Sequence, residues 1–188
     1  KIGWNNLNKL GIQNNDWFVC VHVRDKLFKG KEKLRDANLE NYFPAFQEVL
    51  NAGGWVIRIG DKNSRKLPKL KKIIDYPLSK IKSDFMDIFL ATQCRFMIGT
   101  SSGISAISHI ANVPIAMTNY RPLSTLYLSS KDLYLPGLLK NKNSELLDFE
   151  NLFKIENSVG GLDGIYTNLL KLEFIENFPD EIKELVLN

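Results

Sequence analysis

Five small residues interrupt an apolar run in the stretch FMIGTSSGIS, just before a segment with helical periodicity. The first turn of a helix carries unpaired backbone N–H groups and a partial positive charge. Gly99 and Gly103 let an anion approach the backbone closely, and Thr100, Ser101 and Ser102 add hydroxyl donors, so the pattern predicts a phosphate site. The alternative is an ordinary serine or threonine helix cap. The segment has neither the Gly-Lys-Ser/Thr of a Walker loop nor Gly-x-Gly-x-x-Gly, which argues against a dinucleotide oxidoreductase.

His22 and Arg24 are polar residues at the end of the apolar run WFVCVHVRD. They are two residues apart, so in an extended strand their side chains point to the same side. Arg24 has a permanent charge and a planar fork that can clamp a diphosphate, which makes it the candidate catalytic residue. His22 can donate to a base or a phosphate. In the structural alternative, Arg24 pairs with Asp25 or Asp61 and His22 is hydrogen-bonded in the core.

Asp84 and Asp87 are three residues apart in SDFMDIFL and share one face of a predicted helix. We expect Asp84 to cap this helix and Asp87 to contact a ligand, where it could accept bonds from the exocyclic N–H groups of a base. The alternative is a solvated acidic first turn, which the helix dipole favours. The chain has no Asp-x-Asp pair of the kind that usually binds Mg²⁺ at a diphosphate, so we expect no metal and no cofactor. Arg58, in the apolar stretch WVIRIGD, is expected to form a buried pair with Asp61; the alternative is that it reaches the edge where the ligand binds.

Length and composition predict a soluble globular protein with one domain, residues 1–188, because 44% of the 188 residues are hydrophobic and 24% are charged. No apolar run is long enough for a membrane span. The chain has no signal peptide and no initiating Met, so we expect a fragment of a longer two-domain protein. We expect that protein to be cytoplasmic, either free or peripheral to a membrane. Cys20 and Cys94 lie in apolar stretches, which predicts buried free thiols.

The net charge of +4 is concentrated in two lysine-rich segments, residues 26–35 and 61–72. Binding of nucleic acid would favour aromatic residues interleaved with these charges, and the segments have almost none. We therefore expect no nucleic-acid partner and favour a small anionic ligand. Nucleic-acid binding through the lysine-rich loops stays the weaker alternative.

Apolar runs predict parallel strands, and the segments between them show helical periodicity. The predicted strands are residues 17–23, 55–60, 72–76, 95–99 and 114–117, and the predicted helices are 39–52, 84–93 and 102–111. Residues 119–150 are expected to be irregular, and 164–186 mostly helical with an interruption at Pro179. The alternation predicts an α/β, Rossmann-like, doubly wound parallel sheet in three layers with strand order 3-2-1-4-5. Ligands bind beyond the carboxyl ends of the first and fourth strands in such a sheet, where Arg24 and residues 100–102 would meet.

The motifs VHVRD, WVIRIGD and DIFLATQCRFMIGTSSGIS, in this order and spacing, resemble a family of bacterial glycosyltransferases with a GT-B-like nucleotide-sugar domain. The pattern is similar, more distantly, to the donor domain of the fucosyltransferases that use GDP-fucose. The resemblance covers about Leu10–Met117. It implies a donor-binding domain of the GT-B C-terminal type and metal-independent transfer from a nucleotide-diphosphate sugar, with a GDP-linked donor as one option. The acceptor would be an unknown glycan or protein.

The same resemblance implies roles for individual residues. Arg24 would hold the diphosphate, His22 and Asp87 would approach the base, and the β-phosphate would lie against the hydroxyl residues Thr100, Ser101 and Ser102. A GT-B enzyme needs a second domain for the acceptor, so we expect this chain to bind a donor without turnover on its own. The alternative is a non-catalytic nucleotide-binding or regulatory module, because a fold does not fix a function.

Overall fold

The computed structural model describes residues 1–24, 36–62, 66–121, 123, 129–159 and 171–188. Among these residues, one sheet contains the strands β1 (Phe18–His22), β2 (Trp55–Arg58), β3 (Ile73–Asp75), β4 (Met97–Gly99), β5 (Ile115–Tyr120) and β6 (Leu133–Pro136). The helices are α1 (Ile2–Asn8), α2 (Phe43–Asn51), α3 (Asp84–Gln93), α4 (Gly103–Ile110), α5 (Phe149–Val159) and α6 (Pro179–Leu187). Short 3₁₀ turns occupy Leu39–Tyr42 and Tyr76–Leu78. None of the helices in these ranges is long and apolar enough to cross a membrane.

The strand order of the sheet is β3-β2-β1-β4-β5-β6, and every pairing in it is parallel. The predicted order 3-2-1-4-5 is therefore confirmed, and β6 extends the sheet beyond β5. Helices α1, α3 and α4 contribute to the core on one face of the sheet, and α2 and α6 to the core on the other. This arrangement is the predicted three-layer, Rossmann-like α/β fold.

The central strand β1 is apolar from Phe18 to Val21 because both faces of the sheet are covered there. Phe18 and Cys20 pack into the core of the α3 face, whereas Val19 and Val21 pack into the core of the α2 face. Side chains alternate between the faces of a strand, so a strand covered on both sides has no position for an exposed polar residue. Cys20 is a buried free thiol, as predicted, and so is Cys94.

The predicted helix over 39–52 is divided into a 3₁₀ turn and α2. Asn38 caps this turn, because its side chain accepts a hydrogen bond from the Glu40 amide at 3.2 Å. The Asn38 amide donates to Glu176 Oε2 at 2.8 Å, and the Asn41 side chain donates to the Asn177 carbonyl at 3.4 Å. These two asparagines therefore tie the start of α2 to the C-terminal part of the chain.

The predictions for the C-terminal third were wrong in two places. Residues 119–150 are not irregular throughout: they include the end of β5, β6, β7 (Leu138–Lys140) and the start of α5. Residues 173–175, expected to be helical, form β8 (Glu173–Ile175), which pairs antiparallel with β7. Pro179 does not interrupt a helix but begins α6, where its missing N–H leaves no hydrogen bond unmade. Residues 164–170 of the predicted helix lie outside the described part of the chain.

Candidate functional site

The carboxyl ends of β1 and β4 are joined directly. His22 lies opposite Gly99 in the register, and the Thr100 amide donates to the His22 carbonyl at 2.9 Å. Two residues after His22, the Arg24 amide donates to Thr100 Oγ1 at 3.2 Å. The two polar segments that the sequence singled out therefore meet at one edge of the sheet, at the point where its strand order reverses.

Gly99 makes this junction possible. Its φ of +148° lies in a region that residues with a side chain rarely adopt. A Cβ atom at this position would lie 1.9 Å from the His22 carbonyl oxygen, so the two strand ends approach too closely for any other residue. The first glycine of the GTSSG motif thus serves the packing of the strands.

A cavity of about 600 Å³, which we call the large cavity, opens at this edge. His22 from β1 and residues 59–62 after β2 form one side of it, and Lys82, Asp87 and residues 102–104 form another. Asp61 and Lys62, which begin the second lysine-rich segment, therefore line the large cavity. Residues 63–65 of that segment, and all of the first lysine-rich segment, lie outside the described residues.

His22 contributes a neutral imidazole to the large cavity. Burial is the main reason that its pKa falls to about 4, and the nearby charges of Arg24 and Arg58 lower it further. Its Nδ1 atom is buried and has no hydrogen-bond partner within the part of the chain that the structure describes. At neutral pH, this side chain can therefore take part in hydrogen bonds to a ligand but brings no charge.

The first turn of α4 borders the same cavity. Ser105 Oγ accepts from the Ser102 amide at 3.1 Å and donates to the Ser102 carbonyl at 2.7 Å, which fixes the start of the helix. Ser102 Oγ is buried and has no partner among the described residues. Thr100 is 1% exposed, and its hydroxyl accepts the Arg24 amide, so it holds the junction together. The predicted phosphate contacts of Thr100, Ser101 and Ser102 stay predictions.

Asp87 lines the large cavity and forms an ion pair with Lys82, whose Nζ lies 2.5 Å from Asp87 Oδ1. Its contact with a ligand stays a prediction. Lys82 also lies over the Tyr76 ring, 5.2 Å from its centroid. The predicted cap was wrong: Ser83 caps α3 by accepting from the Met86 amide at 3.3 Å, and Asp84 is the first helical residue. Sequence reasoning missed Lys82, because a lysine in a loop carries no pattern of its own.

Arg24 forms an ion pair with Asp36, with Nε 3.3 Å from Oδ1, and the Ala37 amide donates to the Arg24 carbonyl at 2.8 Å. The chain therefore leaves the sheet edge at Arg24 and returns beside it at Asp36. Asp36 is a partner that the sequence reasoning did not name, and Asp25 lies outside the described residues. The predicted catalytic role of Arg24 stays a prediction.

Arg58, expected to pair with Asp61, forms an ion pair with Asp75 on β3, and Nε donates to Asp75 Oδ1 at 2.7 Å. Asp75 Oδ2 also accepts the Leu67 amide at 2.9 Å. The Arg58 side chain is 4% exposed, so its charge is compensated in the protein interior. This pair orders the segment after β2 that leads away from the large cavity.

A second cavity of about 260 Å³, the small cavity, lies on the β5 side of α4. It shares Ser102 and Gly103 with the large cavity, and its far end is lined by His109. His109 Nδ1 lies 3.0 Å from Asp132 Oδ2, and Asp132 Oδ1 accepts the Ile115 amide at 3.0 Å. No sequence pattern indicates this pair, since its members are 23 residues apart.

Among the described residues, no group of three or more His, Cys, Asp and Glu side chains is placed to hold a metal ion. The expectation of a site without metal or cofactor stays a prediction.

The sheet order and the cavity at its carboxyl edge define a Rossmann-like α/β domain. A crystal structure of the glycosyl transferase family 9 from Veillonella parvula DSM 2008 matches 99% of this chain with a TM-score of 0.57 and 10% sequence identity. The chain spans about half of that protein, 50% of its length. A second match is a crystal structure of dodecameric iron-containing heptosyltransferase TibC in complex with ADP-D-beta-D-heptose. The match covers 65% of this chain and 31% of the TibC chain, with a TM-score of 0.44 and 14% sequence identity. No protein-family model and no curated protein sequence matches the chain.

Proposed function

We propose that this domain binds a nucleotide-diphosphate sugar in the large cavity and is the donor-binding part of a glycosyltransferase. The observation that carries the proposal is the pair of buried polar atoms, His22 Nδ1 and Ser102 Oγ, that belong to the lining of one cavity. Buried polar groups are nearly always hydrogen-bonded, and an unpaired one costs free energy. A polar ligand in the large cavity would lie beside both side chains and would offer each atom a partner once its side chain turns towards the cavity. The fold shared with a glycosyltransferase structure supports the same class.

The diphosphate is assigned to the first turn of α4. Its unpaired amides and partial positive charge favour an anion, and Gly103 has no atom within 4 Å of a Cβ position, so the backbone is open to an approaching phosphate. Ser101 and Ser102 supply hydroxyl donors next to these amides. Thr100 contributes indirectly to phosphate binding: its hydroxyl accepts the Arg24 amide and so holds the loop before α4 in place.

The nucleoside is assigned to the part of the large cavity between His22 and the Lys82–Asp87 pair. A neutral imidazole, an ammonium group and a carboxylate together offer donors and acceptors to a base. The ion pair fixes the Asp87 carboxylate, so a bound base would meet an ordered acceptor. A GDP-linked donor, as the fucosyltransferase resemblance implies, is one option that this chemistry allows.

In the proposed reaction, the oxygen of an acceptor hydroxyl forms a bond to C1 of the sugar while the bond from C1 to the diphosphate oxygen breaks. The nucleoside diphosphate leaves, and the hydroxyl proton passes to solvent. Negative charge grows on the leaving phosphate, so groups that stabilise it there accelerate the reaction. The α4 terminus and the fixed cation of Arg24 are the groups proposed for this task, without a metal ion. The acceptor, a glycan or a protein, would be bound largely by another part of the full protein.

Thermal unfolding of the chain with GDP, UDP, ADP or CMP, each with and without Mg²⁺, tests the proposal. We expect one nucleoside diphosphate to raise the unfolding temperature without Mg²⁺, because a ligand that prefers the folded state stabilises it by mass action. Ser102→Ala should weaken this shift, whereas Ser158→Ala, at an exposed serine of α5, should not. If none of the nucleotides stabilises the chain, the proposal is wrong.

Donor hydrolysis by the full-length protein separates the enzyme from a non-catalytic nucleotide-binding module. Release of free sugar from the preferred nucleotide sugar is the result expected of a transferase. Tight binding without any release, in the presence of candidate acceptors, would favour the regulatory module.

A further inference from the structure

We propose that the small cavity is the subsite for the glycosyl group of the donor, an inference that rests on the proposed function. The large and small cavities meet at Ser102 and Gly103, the residues that begin the first turn of α4. A diphosphate bound there would have the nucleoside on one side and the group attached to its terminal phosphate on the other. In a nucleotide sugar, that second group is a monosaccharide.

The lining of the small cavity suits a sugar ring. One side is apolar and aromatic, with Met117 and with Tyr120 and Tyr134, whose ring centroids are 5.1 Å apart at an interplanar angle of 75°. The other side carries serine hydroxyls, those of Ser101 and Ser102 and that of Ser105, whose Oγ already bonds the Ser102 backbone and can accept one further hydrogen bond. A pyranose presents C–H faces that pack against aromatic rings and hydroxyl edges that need hydrogen-bond partners.

The far end of the cavity is rigid and polar. Asp132 has a side chain that is 2% exposed, and it holds both His109 Nδ1 and the Ile115 amide. The imidazole is therefore kept in one orientation at the cavity wall. His109 lies about 9 Å along the helix axis from Gly103, a length that suits one sugar ring rather than a second nucleoside.

The test compares the affinity of the preferred nucleoside diphosphate with that of its hexose conjugate, by calorimetry on the 188-residue chain. Candidate pairs are GDP with GDP-mannose and GDP-fucose, UDP with UDP-glucose, and ADP with ADP-glucose. Ala106→Leu places a larger side chain in the small cavity, and Ala106 is not among the described residues that line the large cavity. We expect this variant to bind the conjugate about tenfold more weakly and to bind the free diphosphate as the wild type does.

His109→Gln is the second variant, and it decides the outcome if Ala106→Leu fails to fold. It changes the polar end of the small cavity without filling it, and it should also weaken only the conjugate. Ile110→Ala, at a residue of the same helix that is 84% exposed, is the control and should alter neither affinity.

The possible failures can be told apart. If no nucleoside diphosphate binds the wild-type chain, the proposed function fails, and this inference fails with it. If the diphosphate binds and the folded variants keep the wild-type ratio of the two affinities, the large cavity holds the nucleotide but the small cavity does not hold the sugar.

Discussion

A Cβ atom on Gly99 would lie 1.9 Å from the carbonyl oxygen of His22, so β1 and β4 meet at a point where a side chain has no room. The same carbonyl accepts the Thr100 amide at 2.9 Å, which locks the two strand ends together. The point between β1 and β4 where the strand order reverses is thereby held by backbone contacts. These contacts position the side chains around it.

We predict that Gly99→Ala lowers the free energy of unfolding by about 3 kcal/mol or more, because it adds a clash to an unfavourable φ. Gly103→Ala is the matched control: a Cβ there meets no atom within 4 Å, and its φ is not positive. Its stability should stay within about 1 kcal/mol of the wild type. Urea denaturation measures both, and equal losses of stability would contradict this account of the junction.

Gly103→Ala should nevertheless weaken nucleotide binding, because its methyl group would stand where the diphosphate is proposed to approach the backbone. The measurement is the thermal shift produced by the preferred nucleoside diphosphate. A folded Gly103→Ala variant with an undiminished shift would move the phosphate away from the first turn of α4.

The buried imidazole of His22 predicts a loss of stability in mild acid. Its pKa is about 4 in the folded protein, below the ordinary value of 6.5, so the unfolded chain binds more protons between these two values. Stability should therefore fall as the pH is lowered from about 6.5 towards 4, by up to roughly 3 kcal/mol from this group. Urea denaturation at pH 7 and pH 4.5 measures the loss, and His22→Gln should reduce it. An equal loss in the variant would show that other groups cause the effect.

Arg24→Ala should lower the rate of glycosyl transfer by about 10²- to 10³-fold in the full-length protein, which is typical for the loss of one group that stabilises developing charge. Arg24→Lys should restore part of this loss, because the charge returns but the planar fork does not. The measurement is kcat/KM for the donor.

Asp36→Ala controls for the ion pair, since it breaks the same contact and keeps the guanidinium. If Asp36→Ala lowers the rate as much as Arg24→Ala does, Arg24 acts through the structure of the sheet edge and not on the diphosphate.

Glu156→Leu should destabilise the protein by about 3–5 kcal/mol, because it removes the carboxylate that accepts from Arg121 Nη1 at 2.9 Å. The side chains are 1% exposed for Arg121 and 0% for Glu156, so an unpaired guanidinium would be costly. Glu156→Gln keeps an acceptor of similar size and should cost less. Urea denaturation at neutral pH gives the two free energies of unfolding. Equal values would contradict this prediction, because they would show that the amide oxygen of Gln does not compensate for the lost charge.

The first five strands could be predicted from sequence because most of their positions are apolar, and the central strand is buried from Phe18 to Val21. The strand Leu133–Pro136 could not, because it is only partly buried and ends in a proline. The strand Glu173–Ile175 is three residues long and is stabilised by its pairing with Leu138–Lys140, which no local pattern encodes. Pro179 was misread for a related reason: a proline is equally compatible with breaking a helix and with starting one.

The residues of the candidate site also differ in whether a sequence pattern or tertiary packing determines their position. The convergence of Arg24 with residues 100–102 could be predicted because the strand order of a doubly wound sheet determines which strand ends are neighbours. Asp36 and Lys82 could not be predicted as the partners of Arg24 and Asp87, because both belong to connecting segments whose course depends on tertiary packing. The His109–Asp132 pair depends on how α4 packs beside β6, which periodicity alone does not give.

Helix α4 is the common wall of the two cavities, and this bears on how specificity can diverge. Residues on the turn that faces only the small cavity, such as Ala106, can be exchanged without touching the first turn. Under the proposed assignment, a few substitutions on this one helix would change which monosaccharide is bound in relatives of this protein. Their affinity for the nucleotide would stay the same.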